Sequence, residues 1–409
     1  MKKALVLCGG MPQIALIEEL KSRGIETILL DMNEKVKARE YADKFYPVSV
    51  LDVDAVREVA KKEKVDYILT VCADQVLLVV AQLCEELGLP WYIDYQTAKN
   101  VSDKAYMKRI FSENGIPTSK YAVSDEFDPH IADGMEYPLI VKPVDSYSSR
   151  GVKKVLNVEE LEQVFKEAVR ISRTKTAIVE EFVQGKELSV DVYVENGKAN
   201  VLGISRLDKI PGENKFVINR CSNPAPISET EVAMVKEACQ KIATAFGLVN
   251  SPMLVQLITT GNRISILEFC ARTGGGDKFR LIKRTTGFDV VKAVVDLTLG
   301  SYPHVGELKR ENAYILDEFL YCKPGVFDHA EGFKELLEQG IISEYSVFKA
   351  PGTELKEASC SGDRIAFFTV QTDDREMLKR NLAVAAEKIK VFDCHGNDLL
   401  RHELMSTFE

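Results

Sequence analysis

Short apolar runs alternate with amphipathic stretches over the first hundred residues. "KALVLCGG", "ETILLD" and "DYILTV" read as buried strands. Between and after them, Gln13 to Arg23, Val53 to Lys64 and Gln75 to Leu87 repeat apolar positions at helical spacing. The alternation predicts βαβ units, an open parallel α/β sheet ending near residue 100. The pattern changes after "SDKAYMKRIFSENGIPTSKY". Ser102 is expected to cap a helix running to about Asn114, which Gly115 and Pro117 stop. Then come β-rich runs: "YPLIVKPV", "GVKKVLN", "TAIVEEFV", "KELSVDVYVE" and "KANVLGISRL". Asn196–Gly197 predicts a hairpin turn. Helices are expected at Val158 to Ile171 and in "SETEVAMVKEACQKIATAFG", and a hairpin in "SPMLVQLITTGNRISILEF" around Gly261–Asn262. The middle region therefore reads as α+β and mostly antiparallel. From about residue 301 a third, smaller α+β unit follows, with strands in "AYILDEFLY" and "RIAFFTVQT" and a helix in "REMLKRNLAVAAEKI".

At 409 residues the chain is too long for one core, in keeping with two to three domains. A net charge of -9 argues against a general nucleic-acid binder while leaving room for a local basic pocket. The longest apolar stretch, "VLLVVAQLCEEL", is too short and too soon charged to span a bilayer, so no membrane role is expected. Nine cysteines without a C-x-x-C pair suggest free thiols in a reducing, cytoplasmic setting. The five histidines are isolated, which makes zinc improbable. Gly9–Gly10 after the first strand and Asp31 after the second invite a dinucleotide-fold reading, but the G-x-G-x-x-G spacing is absent and Pro12 follows.

Four stretches in the middle region carry the candidate chemistry. Lys104 opens its helix. Lys142 in "LIVKPVDSYSSRG" stands at a strand end before a small polar loop closed by Gly151. There an ammonium, Ser146, Ser148, Ser149 and backbone N–H groups suit a polyphosphate. In "IVEEFVQGKELSVDVYV", Glu180, Glu181 and Glu187 cluster around a break between strands. Their carboxylates suit ribose hydroxyls, and an exposed strand edge suits adenine; a charged hairpin rim is the competing account. In "MLVQLITTGNRISILEFCARTGGG", antiparallel pairing would turn Gln256 and Glu268 into one cleft. Strand alternation would put Glu268, Cys270 and Arg272 on one face, with Phe269 and Ala271 on the other. Glu268 suits Mg2+, and Arg272 suits an oxyanion or phosphoryl group.

In this order, the four stretches resemble the ATP-grasp superfamily, in its carboxylate–amine ligase group with the carbamoyl-phosphate-synthase large chain and biotin carboxylase. The resemblance covers essentially the whole chain. It implies a pre-ATP-grasp α/β domain over 1–100, an ATP-grasp domain over 101–300 with a lid subdomain about 118–184, and an α+β C-terminal domain over 301–409. By position it implies ATP as ligand, with Lys104 and Lys142 on its α- and β-phosphates. Asp145 to Gly151 would form the lid loop, and Ser148, Ser149 and Gly151 lie in it. Glu180, Glu181 and Val183 would form the adenine hinge, largely through backbone groups, and Glu187 would hold ribose. Gln256 and Glu268 match ligands of Mg2+ or Mn2+, and Arg272 matches the arginine near the transferring phosphoryl. Arg206, Arg220, Arg272 and Gly275 are expected around the acceptor substrate. Many relatives carry asparagine at the position of Cys270; a thiol is a soft, poor Mg2+ ligand.

The resemblance implies a two-step ligation of small-molecule carboxylate and amine substrates through an acyl phosphate, releasing ADP and phosphate, in an enzyme whose relatives are commonly homodimers. The alternatives are a carboxylase-like enzyme using carboxyphosphate and an ATP-binding regulatory protein with weakened catalysis, which the altered Cys270 position would suit. No histidine lies in the four stretches, so no general base is evident.

Overall fold

The computed structural model describes residues 1–146, 150–212, 216–275, 278–308 and 314–405. The chain opens on a four-stranded parallel sheet in the order Lys44–Tyr46, Glu26–Leu30, Lys3–Leu7, Tyr67–Leu69. Its strands are apolar on both faces because both are covered. Ala4, Val6 and Leu29 face the core that packs against the helices Met11–Ser22 and Val290–Thr298. Leu5, Leu7 and Ile28 face the other side, under Val53–Glu63 and Asp74–Leu87. The Gly9–Gly10 turn is a tight βα connection: a Cβ at Gly9 would collide with the Val36 side chain. The Asp31 carboxylate accepts the Gly9 and Asn33 N–H groups, each at 2.8 Å, which occupies the acid a dinucleotide ribose would need.

The helix Lys104–Glu113 begins one residue later than expected. Asp103, not Ser102, caps it, accepting from Ala105 and Tyr106 N–H, while the Ser102 hydroxyl donates back to Ala98 O. A carboxylate is the stronger acceptor for the partial positive charge of a helix start.

Two further sheets build the middle of the molecule. A small antiparallel sheet runs Tyr121–Ser124, Ala177–Glu181, Leu139–Pro143, Lys153–Val155. The helix Val158–Ile171 covers one face of it through Leu161 and Phe165. The large sheet has eight strands in the order Ile264–Cys270, Ser251–Thr259, Lys186–Glu195, Lys198–Lys209, Ile218–Asn223, Tyr314–Leu320, Ala366–Thr372, Glu344–Val347. Its last three strands come from the C-terminal unit, so the C-terminal residues extend the central sheet. The Asn196–Gly197 turn has positive φ at both residues (50° and 79°), as a two-residue hairpin requires. Among the described residues, no helix is long and apolar enough to cross a membrane.

The strand pair that ends in the glycine run is irregular. Gln256 lies opposite Glu268, but Leu257 lies opposite Ile266, so Leu267 is an extra residue, a β-bulge. Before the bulge, Ile264 and Ile266 enter the core; after it, Phe269 and Ala271 do. Simple alternation, as expected for 268, 270 and 272, therefore holds only beyond the bulge, and Leu267 joins Glu268 on the open face.

The helix Glu229–Ala245, which backs this core, starts with a capping box: Ser228 accepts from Glu231 N–H, and Glu231 accepts from Ser228 N–H at 2.8 Å. Ser228→Ala should lower unfolding free energy by about 1 kcal/mol, read as a smaller urea midpoint at unchanged slope.

Candidate functional site

Two cavities meet in the middle of the molecule. The first, about 920 Å³, lies between the small sheet and the large one. The second, about 520 Å³, lies between the large sheet, the N-terminal unit and the C-terminal strands. Lys104, Ser146, Gln256 and Glu268 line both. Lys104 reaches the junction from the first turn of its helix. Its ammonium stands 3.1 Å from Glu268 and donates to Ser146 O at 2.7 Å. Burial works against that charge, but the Glu268 carboxylate more than offsets it and holds the lysine above its ordinary pKa.

On the first cavity, Lys142 projects from the strand Leu139–Pro143 and pairs with Glu180 on the neighbouring strand. Glu181, Val183 and Glu187 line this cavity, as does Leu267 from the bulge. Glu181 also pairs with Lys120 at 3.3 Å, and Glu187 pairs with Lys209. Gly151 has φ +75° and sits against Pro143 and Ile171, next to the wall residue Val152. Ser148 and Ser149 lie outside the described residues.

The side chains of three expected site residues are engaged within the protein. The Glu180 side chain is not on the cavity wall; it is buried beneath it, 3% exposed. Its carboxylate accepts from Lys108 at 2.7 Å and from the Ser119 hydroxyl at 3.1 Å besides Lys142. It therefore holds lysines rather than facing a ligand. Arg220 faces neither cavity. It is 3% exposed, bonded to Glu318 at 2.6 Å and to Met405 O, because its strand turns alternate residues into the protein. Arg206 lines the first cavity and not the second, and pairs with Asp208 at 2.7 Å.

Arg272, Cys270 and Gly275 do line the second cavity. The Arg272 guanidinium is clamped by Asp74, with Nε at 2.7 Å, and donates to Thr273 O at 2.6 Å. Asp74, which begins a helix just past the carboxyl end of the strand Tyr67–Leu69, also lines the cavity. Burial raises the pKa of Asp74, but Arg272 outweighs it and keeps the carboxyl below its ordinary value. Burial, then Asp74, pushes the Cys270 thiol well up, so it stays protonated. The N-terminal unit also grips this turn through Tyr92, whose hydroxyl donates to Ala271 O at 3.0 Å, and Cys72, whose N–H donates to Thr273 Oγ1 at 2.9 Å. Gly274 is needed for packing: a Cβ there would collide with Asp191 Oδ1. Asp191 in turn pairs with the buried Lys278 at 3.1 Å.

Asp74, Lys108, Asp191 and Lys278 went unnoticed in the sequence. The ends of parallel strands, where ligands gather in open α/β sheets, offered a signal for Asp74. Lys108, four residues after Lys104 on one helix face, offered another. Asp191 and Lys278 meet only through the fold.

This arrangement defines a class of protein: an open α/β unit, a small lid-like antiparallel sheet and a large sheet enclosing a two-part cleft with lysines on one wall and an acid on the other. The comparisons agree. The ATP-grasp domain model matches residues 135–279, the ATP-grasp N-terminal domain model 18–91, and a model described as L-amino acid ligase C-terminal domain 2 matches 318–392. A formate-dependent phosphoribosylglycinamide formyltransferase of Sulfurisphaera tokodaii is 27% identical over 66% of this chain and 70% of its own. The carbamoyl phosphate synthase large chain of Methanothermobacter thermautotrophicus is 25% identical over 69% of this chain and 27% of its own. The fold is similar to that of the L-amino acid ligase from Bacillus licheniformis, with TM-score 0.81 and 19% identity over 96% of this chain and 98% of that one. Residues 135–279 match the ATP-grasp domain, and the order of the three matched segments fits the carboxylate–amine ligase group.

The Glu180 network generates a stability prediction. Burial raises this carboxyl's pKa, but Lys108 and Lys142 outweigh burial and bring it down to about 2 from 4.5. Lys108 itself is pulled down by burial despite Glu180. Its amine nevertheless faces Thr118 Oγ1, Ser119 Oγ, Ile266 O and the Glu180 carboxylate, a set of acceptors that fits an ammonium. A depressed folded-state pKa means the stabilisation is complete above the unfolded value and fades as pH falls through the folded one. Glu180→Gln should be less stable at pH 7 and lose less stability than the parent between pH 5 and pH 2, measured by urea unfolding across that range.

Proposed function

We propose that this protein is an ATP-dependent ligase that joins a carboxylate to an amine through an acyl phosphate, turning ATP into ADP and phosphate. The observation carrying this reading is the junction itself: Lys104, Gln256 and Glu268 are shared walls of two cavities. A nucleotide in the first and a carboxylate in the second would meet there. The first cavity combines Lys142 and Lys104 with the segment Phe182–Val183 that follows the strand Ala177–Glu181, which suits a triphosphate at one end and a base at the other.

The donor set fits Mg2+. Among the described residues no cluster of three His, Cys, Asp or Glu side chains could hold a metal on its own. Glu268 and Gln256 offer hard oxygens side by side at the junction. Mg2+ commonly takes one or two carboxylates and fills its remaining positions with phosphate and water. Glu268 and Gln256 would hold the ion, and when bound it would neutralise phosphate charge.

The residues act by placement and charge. A substrate carboxylate oxygen attacks the γ-phosphorus, the bond from phosphorus to the bridging oxygen breaks, and ADP leaves. Lys142 and Lys104 offset the spreading negative charge, and Arg272 faces the acyl phosphate from the second cavity. The amine nitrogen then attacks the acyl carbon and phosphate departs. Closure of the loop after Lys142 would exclude water, which otherwise hydrolyses the acyl phosphate.

Lys142→Ala should remain folded and lose substrate-dependent ADP release by roughly a hundredfold or more; near-parental turnover would remove Lys142 from the site. Glu268→Ala should lose Mg2+-dependent turnover, measured as ADP release against Mg2+ concentration. Cys270→Asn, which restores a hard oxygen, should retain activity and need the same or less Mg2+; a large loss would give the thiol a specific role.

A further inference from the structure

Resting on the ligase reading, we infer that Arg364 recognises a second anionic group on the substrate, one that takes no part in the reaction. Most cations of the second cavity already have carboxylate partners. Lys104 has Glu268, Arg272 has Asp74, Lys278 has Asp191 and Arg173 has Asp145. Arg364 differs. It lines the same cavity from the C-terminal unit, between the turn Ser361–Asp363 and the strand Ala366–Thr372. Among the described residues its partners are neutral. Its Nε donates to Tyr321 Oη at 3.0 Å, and its Nη2 to Ser361 Oγ at 3.3 Å and Ile218 O at 3.4 Å. The guanidinium lies 3.7 Å from the centre of the Phe319 ring.

These contacts hold the fork in place without cancelling its charge. The ring face and Tyr321 fix its plane, and the carbonyl and hydroxyl use only part of its donor set. Nearby acids are otherwise engaged. Asp317 accepts from Thr369 Oγ1 at 2.7 Å, and Asp363 turns back onto the N–H groups of Ser359 and Cys360. An oriented guanidinium with no carboxylate bonded to it among the described residues suits a carboxylate, which it can bind with two parallel hydrogen bonds. The substrate class is therefore an amine or acid that keeps a free carboxylate in the product, an α-amino acid rather than a simple amine. Arg364 is a specificity residue and takes no part in bond making.

The experiment compares L-amino acids with their α-amides as amine substrates, reading ADP release with purified wild-type, Arg364→Gln and Arg364→Lys proteins. The wild type should prefer the acids. Arg364→Gln should raise their KM about tenfold or more, the worth of one charged hydrogen-bonded pair, erase the preference over amides, and leave the KM for ATP unchanged. Arg364→Lys, which keeps charge but not the fork, should keep part of the preference. Equal handling of acids and amides by the wild type, or a preference that survives in Arg364→Gln, overturns the inference. If no pair elicits ADP release, the ligase reading fails, and calorimetric titration with malonate decides the arginine's role separately. Saturable malonate binding that weakens about tenfold in Arg364→Gln supports it; binding that is absent or unchanged in the variant overturns it.

Discussion

One extra residue in one strand sets the geometry of the cleft. If Ile264–Cys270 paired with Ser251–Thr259 without Leu267 bulging out, side-chain alternation would put Ile266 on the same face as Glu268. Either an isoleucine would then stand in the cleft or a carboxylate in the core. The bulge lets the strand keep Ile264 and Ile266 inside at one end and Phe269 and Ala271 inside at the other. It delivers Leu267 and Glu268 together to the open face. An apolar floor and a carboxylate thus come from adjacent residues, opposite Gln256.

Around that strand end, cations and carboxylates are arranged in pairs that cross between units. Asp74 of the N-terminal unit holds Arg272, Glu268 of the large sheet holds Lys104, and Glu180 of the small sheet holds Lys142 from the next strand and Lys108 from the helix Lys104–Glu113. An unpaired charge in such a setting costs several kcal/mol, on the order of 3–5 when a buried pair loses one partner. The pairs therefore keep a dense group of cations in place without any ligand. They also tie the three parts of the protein to the same few side chains, so moving one part disturbs the charge balance of the others.

What was legible in the sequence follows from these constraints. The parallel sheet, the two hairpins and the helices at Val158–Ile171 and Glu229–Ala245 show local periodicity, because each buries one face or both against close neighbours. Lys104, Lys142 and Arg272 stand near strand ends or helix starts, where the pattern breaks and chemistry tends to sit, and Gln256 and Glu268 face each other across a hairpin. Arg220 and Arg206 misled for the opposite reason. Both lie within strands, and nothing local says whether an arginine there faces a cleft or a buried glutamate. Glu318, the partner that draws Arg220 inward, is 98 residues away. Glu180 misled similarly: the residues that claim it are on another helix and another strand.

Cys270 looks like a lost metal ligand in the sequence, and its surroundings give a different account. The thiol is 8% exposed, lies in the apolar core cluster of this strand and touches Asp74. An asparagine there would bring an amide into an apolar wall beside an acid already held by Arg272. A thiol is a small hydrophobe with a weak donor, and it can satisfy both neighbours. Under the proposed function, Glu268 and Gln256 alone would offer the ion hard protein oxygens, so its binding would depend on the phosphates of the nucleotide. Packing at Cys270 and dependence on the nucleotide for metal binding would then be two consequences of one substitution in the strand.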